Sequence, residues 1–398
     1  MQFALFLIAL LGHVCLWIGV LNRIHSTAIP RRLLYVLSFS CLSIIGLVPI
    51  GSVWWWFVEG KDILGQVNWH TTLKPGWFVF FLYVVFCWLV AAATFVRWIC
   101  FRWLRRPPEL LRFHRQRRMN IAPSLAALTA EEHAHHMSVH LPGNEILQLD
   151  LTERAFEVPR LPRVLDGLAI VHMSDLHFTG LVGKAYFREV VRISNELKPD
   201  LVAISGDLVD NAECISWIPD TLGQLTSRYG VYVILGNHDL SVDEIQLRQT
   251  LADSGLIDLG RRWIRIDVRG ESIIIAGNEL PWYVPAADLE NCPPHTRDYY
   301  QLRILLSHSP DQLNWARAHD IDLMLSGHTH GGQIRIPLIG PIFSPSASGV
   351  KYDYGLFNAP PTILHVTRGI SGRQPLRWNC PPEIALLTLH APPENRRL

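Results

Sequence analysis

The chain has 398 residues, 49% of them hydrophobic and 18% charged, with a formal net charge of +1 at pH 7 and 14 Trp; its mean hydropathy of +0.17 is high for a soluble enzyme. The neutral balance argues against a dedicated nucleic-acid binder, which carries a basic excess over a whole domain, and the composition excludes disordered, collagen-like and disulfide-scaffold classes. At ~150 residues per domain the length allows two or three units.

The apolar excess sits at the front. Runs at about 3–21, 33–58 and 77–98 carry no Lys, Arg, Asp or Glu up to residue 96, and each approaches or exceeds the ~20 residues that cross a hydrocarbon core. Pro49, Gly46 and Gly51 place a tolerable kink in the second. Trp54, Trp55, Trp56, Trp69, Trp77, Trp98 and Trp103 cluster at the ends of the runs, as in interfacial aromatic belts. Met1-Gln2-Phe3 offers no basic region of the signal-peptide kind, so the first run reads as a retained span and Arg31-Arg32 as a topology determinant.

The first loop carries Arg23, Arg31 and Arg32, the second Lys61 and Lys74 against Glu59 and Asp62. Beyond the third span stand Arg97, Arg102, Arg105, Arg106, Arg112, Arg115, Arg117 and Arg118. Positive loops stay cytoplasmic, so the expected protein is multi-pass, with its N-terminus outside and its large C-terminal part inside. The arginine cluster either fixes topology alone or also holds anionic headgroups. Seven cysteines without a C-x-x-C pair give no disulfide framework and fit a reducing compartment.

The expected layout is a transmembrane region over 1–104, a basic juxtamembrane linker over 105–140, a catalytic domain over 141–392 and a tail over 393–398. The histidines His133, His135 and His136 in the linker lack a companion ligand set. Beyond residue 141, short apolar runs read as strands: 168–173, 201–205, 231–235, 273–276, 302–306, 322–325 and 363–366. Amphipathic stretches near 184–197, 212–227, 242–253 and 309–318 read as helices. That alternation implies an α/β layered domain, whose chemistry collects at loops leaving the strand C-termini.

Those loops read Ser174-Asp175-Leu176-His177, Gly206-Asp207-Leu208-Val209-Asp210, Gly236-Asn237-His238-Asp239, Ser307-His308 and Gly327-His328-Thr329-His330. A lone Asp after a strand is commonly a helix cap, and Gly-Asn alone is a turn signal. Five such exits in order indicate one shared metal site. Asp, His and Asn without Cys suit Mn²⁺, Fe, Zn²⁺ or Mg²⁺, and a shared carboxylate can bridge two ions.

At these residues the chain resembles the calcineurin-like metallophosphoesterase superfamily, whose pattern runs D-x-H, G-D-x-x-D, G-N-H-D or G-N-H-E, a lone His, then G-H-x-H. Arg368-Gly369-Ile370 and Cys380-Pro381-Pro382-Glu383-Ile384 are similar to its membrane-anchored bacterial branch, which implies a bacterial inner membrane for the three spans. The resemblance implies a four-layer α/β sandwich, two mixed sheets flanked by helices, here preceded by an all-α transmembrane region. It implies one metal on Asp175, His177, Asp207 and His330 and a second on Asp207, Asn237, His308 and His328. His238 would be the catalytic histidine, Asp239 would orient it, and Asp210 would either stand behind the ligands or fix the loop. The implied cofactor is two divalent ions, Mn²⁺ foremost, and the implied reaction is attack on phosphorus by a metal-bridged hydroxide.

The substrate is less sharply marked. Residues 278–300 form a long Pro- and aromatic-rich insertion in which Trp282, Tyr283, Tyr299 and Tyr300 either meet an acyl chain or base, or pack beneath the loop; Arg297 and Arg303 are candidate phosphate contacts. The leading expectation is a membrane-anchored phosphoesterase acting on an amphiphilic phosphodiester or pyrophosphate, since UDP-diacylglucosamine hydrolases are similar members of the superfamily. The alternatives are a general phosphodiesterase on soluble nucleotides with a passive anchor, and a membrane sensor or transporter with a regulatory phosphoesterase domain. The expected partners are the phosphoester and the bilayer, with no nucleic acid.

Overall fold

The computed structural model describes residues 2–55, 75–104, 108–126, 137–289, 291–293 and 300–393, in two compact units, Met1–Arg106 and Pro107–Leu398. The first holds three helices, α1 (Gln2–His25), α2 (Arg31–Trp55) and α3 (Pro75–Leu104). All three contain segments long and apolar enough to cross a membrane: Phe3–His25, Arg31–Trp54 and Phe78–Cys100. Pro49 lies within a continuous α2. Their apolar side chains, Phe39, Leu47 and Leu89 among them, are mostly exposed, as lipid-facing surfaces are. His13 is enclosed instead, hydrogen-bonded to Tyr83 Oη at 2.5 Å and the Ile44 carbonyl at 3.1 Å. Trp56, Trp69, the side chains of Trp55, Trp77 and Trp103, the second loop, Arg105, Arg106, Arg297, Tyr299 and the linker histidines lie outside the described residues.

The second unit is built on two mixed sheets. The seven-stranded one orders β1 (Leu111–Asn120), β2 (Gln148–Glu157), β15 (Glu383–His390), β3 (Leu168–Met173), β4 (Leu201–Ser205), β5 (Val231–Ile234) and β6 (Ile257–Asp258). The six-stranded one orders β13 (Gly355–Ala359), β14 (Thr362–Val366), β10 (Leu323–Ser326), β9 (Arg303–Ser307), β8 (Glu271–Asn278) and β7 (Trp263–Val268). A third, two-stranded ribbon joins β11 (Arg335–Ile336) to β12 (Gly340–Pro341).

Side chains alternate across a strand. In β3, Leu168 and Ile170 join a core that also holds Ile304 and Leu323 of the other sheet, while Val171 and Met173 join one with Phe187 and Val190 of α5 (Lys184–Glu196). Both faces are therefore covered, which is why the strand reads as an apolar run broken only by His172. Three shorter helices complete this unit: α4 (Ala122–Ala126), α6 (Glu244–Asp253) and α7 (Leu313–Ala318).

Two expectations meet different structure. The stretch at 212–227 forms two short 3₁₀ turns, Ala212–Trp217 and Leu222–Gln224, rather than one helix; Pro219 between them has no N–H to continue the ladder. Within the expected linker, residues 111–120 are an edge strand paired antiparallel with β2. There Arg112 pairs with Glu157 at 3.0 Å and Arg118 with Asp150 at 2.9 Å, so part of the arginine cluster belongs to the sheet.

Candidate metal centre

The parallel strands β3, β4 and β5 of one sheet and β9 and β10 of the other each end at one of the loops singled out above. The loops are tied together by backbone: Asp175 N–H donates to Gly206 O at 2.9 Å, His177 N–H to Asp207 O at 3.0 Å, and Gly327 N–H to His308 O at 3.0 Å. Five residues here hold positive φ: Asp175 (52°), His177 (50°), Asp207 (56°), His328 (69°) and His330 (51°). Left-handed backbone at a non-glycine residue costs on the order of 1–3 kcal/mol and persists where surrounding structure over-determines it. Gly206, with φ of 92°, has no room for a side chain, since a Cβ there would stand 2.7 Å from His308 Nδ1; one at Gly236 would run into Asp207 Oδ1.

All seven residues expected from sequence to ligate metal converge. Ligand atoms of Asp175, His177, Asp207 and His330 lie within 4.8 Å of one another, and so do those of Asp207, His308 and His328. Asp207 belongs to both groups. Its Oδ2 is 3.6 Å from His177 Nε2 and 3.2 Å from His308 Nε2, and Asn237 Oδ1 is 3.2 Å from the same His308 nitrogen. On the other side His330 Nε2 is 3.5 Å from Asp175 Oδ1.

The electrostatics of this donor set suit cations. Asp207 Oδ2 and His328 Nε2 are buried with no hydrogen-bond partner, an arrangement that is expensive unless an ion completes it. Burial opposes a charged His308 ring, yet the Asp207 carboxylate beside it pushes its pKa up to about 9. Burial first, and then the His308 and His177 charges respectively, keep His328 and His330 neutral, the form that ligates metal. Oxygen and imidazole nitrogen without sulfur fit hard to borderline divalent ions. The residues present fit a two-ion centre.

The residue that orients His238 differs from expectation. Asp239 is fully buried and its oxygens accept from three backbone amides: Leu208 N–H at 2.9 Å, Val209 N–H at 2.8 Å and Gly236 N–H at 2.7 Å. Asp239 thus fixes two loops. Asp210 is the carboxylate at the imidazole, with Oδ1 2.6 Å from His238 Nδ1 and Oδ2 2.7 Å from His177 Nδ1. Burial pushes the Asp210 carboxyl up, but the two rings outweigh it and hold it well below the usual carboxylate range. Holding Nδ1–H of His177, it turns that ring's Nε2 toward Asp207 Oδ2, 3.6 Å away.

Beneath the centre runs a buried chain of polar groups that sequence reasoning missed. Arg154 Nη1 donates to Glu383 Oε1 at 2.8 Å and to His365 Nε2 at 3.0 Å. An arginine only donates, so the His365 proton sits on Nδ1 and is given to His172 Nδ1 at 2.8 Å; His172 Nε2–H then donates to Ser205 Oγ at 2.9 Å. The Ser205 carbonyl accepts from His308 Nδ1 at 2.7 Å, leaving His308 Nε2 for the centre. These residues are scattered over five strands, and no local spacing announces them.

Other candidates sort themselves by place. Trp282 packs on the centre, its ring 4.9 Å from that of His328 and 5.6 Å from that of His308. Tyr283 is buried in the core. Tyr300 binds Asp322 and lies against Arg160. Arg303 is spent on the carbonyls of His319 and Pro293, at 3.1 and 2.7 Å, and does not reach the centre. Arg377, fully buried, donates to the His330 carbonyl at 3.1 Å and the Arg368 carbonyl at 2.7 Å.

A family model described as calcineurin-like phosphoesterase matches residues 168–332. The chain is 30% identical over 254 residues to metallophosphoesterase YkuE of Bacillus subtilis, covering 61% of this chain and 85% of that one. It is 31% identical over 225 residues to phosphodiesterase YaeI of Escherichia coli, covering 55% and 81%. It is 26% identical over 292 residues to UDP-2,3-diacylglucosamine pyrophosphatase LpxG of Chlamydia muridarum, covering 60% and 88%.

Proposed function

This chain belongs to the calcineurin-like phosphoesterase family, and from that premise we propose a membrane-anchored two-metal phosphodiesterase whose substrate is an amphiphilic phosphodiester or pyrophosphate. The observation that carries the chemistry is the convergence of two donor groups on Asp207, whose Oδ2 has no hydrogen-bond partner. In this reading Asp175, His177, Asp207 and His330 hold one ion, and Asp207, Asn237, His308 and His328 the other. Two divalent ions held there, Mn²⁺ foremost, would supply a hydroxide near neutral pH and would offset charge on the phosphoryl oxygens.

The remaining work falls to the chain's own groups. His238, whose side chain keeps 22% exposure, faces incoming phosphate and gives a proton to the departing oxygen, a contribution of ~10²–10⁴-fold. Asp210 holds that imidazole by Nδ1, so the proton leaves from Nε2. The Asp239 carboxylate keeps the β4 and β5 loops in register, which fixes the distance from Asp207 to His238. Trp282 covers the His308–His328 side and keeps water from it.

The membrane half rests on three apolar helices in the same chain. The arginine-rich loops support the catalytic unit on the cytoplasmic face. An amphiphilic substrate gives those helices a purpose, and the printed name of the chlamydial relative supplies a compound to try. The test is Mn²⁺-dependent UMP release from UDP-diacylglucosamine by full-length protein in detergent, beside Asp207→Asn and bis-p-nitrophenyl phosphate. Release that vanishes in the variant supports the reading. Cleavage of the synthetic diester alone keeps the phosphodiesterase and removes this substrate.

A further inference from the structure

Between His330 and Pro345 the chain leaves the centre and returns to it. Arg335 Nη1 donates to the Gly331 carbonyl at 2.7 Å as the segment departs, and the Pro345 carbonyl faces the His328 ring where it returns. The excursion is an antiparallel ribbon pairing Arg335 with Pro341 and Ile336 with Gly340. Trp378 is stitched to its base: Arg335 N–H donates to Trp378 O at 2.9 Å, and Trp378 N–H to Gln333 O at 3.1 Å.

This ribbon turns apolar side chains outward. Ile336, Ile339, Ile342 and Phe343 are exposed, Leu338 is 79% exposed and Trp378 58%. Contiguous exposed apolar surface marks a partner or a membrane. The charge around it chooses between them. From 331 to 382 the sequence holds one acidic residue, Asp353, and that one is buried and paired with Arg335 at 2.7 Å. Lys351 and Arg373 in the same stretch are exposed. Two carboxylates from elsewhere in the chain meet the segment and both are engaged: Glu145 with Arg118 and the Cys380 N–H, Asp311 with Ser346 and the Ala347 N–H. The exposed charges of the stretch itself are thus cationic, and beside its apolar and aromatic side chains they complement an anionic lipid surface. The chain's own membrane-length helices keep such a surface at high effective concentration.

We propose that the ribbon around Leu338, together with Trp378, dips into an anionic phospholipid bilayer at the edge of the metal centre. A substrate headgroup is thereby met at the membrane surface while its acyl chains stay in lipid. The substrate clause rests on the amphiphile reading above; the bilayer contact does not.

The test uses full-length protein in nanodiscs of phosphatidylethanolamine and phosphatidylglycerol. Cys100, the cysteine exposed in the structure, is replaced by Ser, and a bimane dye is attached at Leu338→Cys or, as a control, at Ile245→Cys. Ile245 is also exposed but lies beside Asp243 and Glu244. Blue-shifted emission at 338, quenched several-fold by acyl-chain nitroxide lipids, with water-like emission at 245, is the expected result. Water-like, unquenched emission at 338 overturns the proposal.

A second arm replaces Leu338 and Ile339 by Asp, with bis-p-nitrophenyl phosphate turnover as the control for folding. UMP release from bilayer-embedded UDP-diacylglucosamine is expected to fall several-fold; equal release overturns the delivery role. Lipid-immersed dye with no UMP release by the parent protein would defeat the substrate reading and leave the bilayer contact standing.

Discussion

His238 Nδ1 stands 2.6 Å from Asp210 Oδ1, and the other oxygen of the same carboxylate stands 2.7 Å from His177 Nδ1. One acidic side chain thus holds two imidazoles, one among the candidate metal ligands and the other the proton donor of the proposed function. Carboxylates of this kind raise ligand basicity and fix the tautomer, and their loss typically costs 10–100-fold in affinity or activity. Asp210→Asn is expected to lower kcat by roughly 10–100-fold and to weaken metal binding by a similar factor. Steady-state rates and metal titration of the variant check both, and an unchanged kcat would remove the coupling.

For His238→Ala the expected pattern is different. Its Nε2 is assigned to the leaving oxygen, so both ions should remain bound while turnover falls by ~10²–10⁴-fold. Elemental analysis of the purified variant beside its rate on bis-p-nitrophenyl phosphate separates the two effects. Loss of metal with loss of rate would make His238 a ligand instead.

Asp239→Ala tests the loop-fixing role. Removing a buried acceptor leaves the amides of Leu208, Val209 and Gly236 unsatisfied, at ~1–3 kcal/mol for each orphaned group. A clear drop in the melting temperature of the apo protein is expected. An unaltered melting curve with a damaged pH–rate profile would return Asp239 to the role of orienting His238.

The adjacency of His238 and Asp239 in the sequence pointed to the wrong partner for a physical reason. Residues 239–241 begin a 3₁₀ turn, which carries Asp239 back under the loop, and the carboxylate that meets the ring comes from another strand exit. Contacts across 28 residues are settled by how β4 and β5 pair, which local spacing does not encode. The candidate metal-binding residues could be picked out because each lies just beyond a strand buried along its length, so a mostly apolar run gives way to an Asp, Asn or His. Strand β1 was not legible: it is an edge strand, exposed along most of its length, and its four arginines read as juxtamembrane charge. The His172–His365 pair escaped notice because a lone histidine inside a strand carries no pattern.

That pair predicts a pH dependence. Burial first lowers the His172 pKa, to about 3, and burial together with the Arg154 charge lowers that of His365. The unfolded rings titrate near the ordinary value of about 6.5. Below that pH the unfolded state binds protons that the native state refuses, so stability is present above about 6.5 and falls as pH falls, by ~1.4 kcal/mol per pH unit for each such group. His172→Gln should melt with a shallower dependence on pH between about 6.5 and 5 than the parent protein. Parallel slopes would contradict the neutral, proton-ordered chain beneath His308.

The most direct test of the two-metal account is a metal titration. Full-length protein stripped by chelator is titrated with Mn²⁺ while bound metal and bis-p-nitrophenyl phosphate turnover are followed together, with Asp207→Asn alongside. Activity that rises only as a second ion binds, and an Asp207→Asn protein that neither holds the pair nor turns over, is the predicted result. Turnover that survives full stripping, or an Asp207→Asn variant with the parent rate, would contradict it.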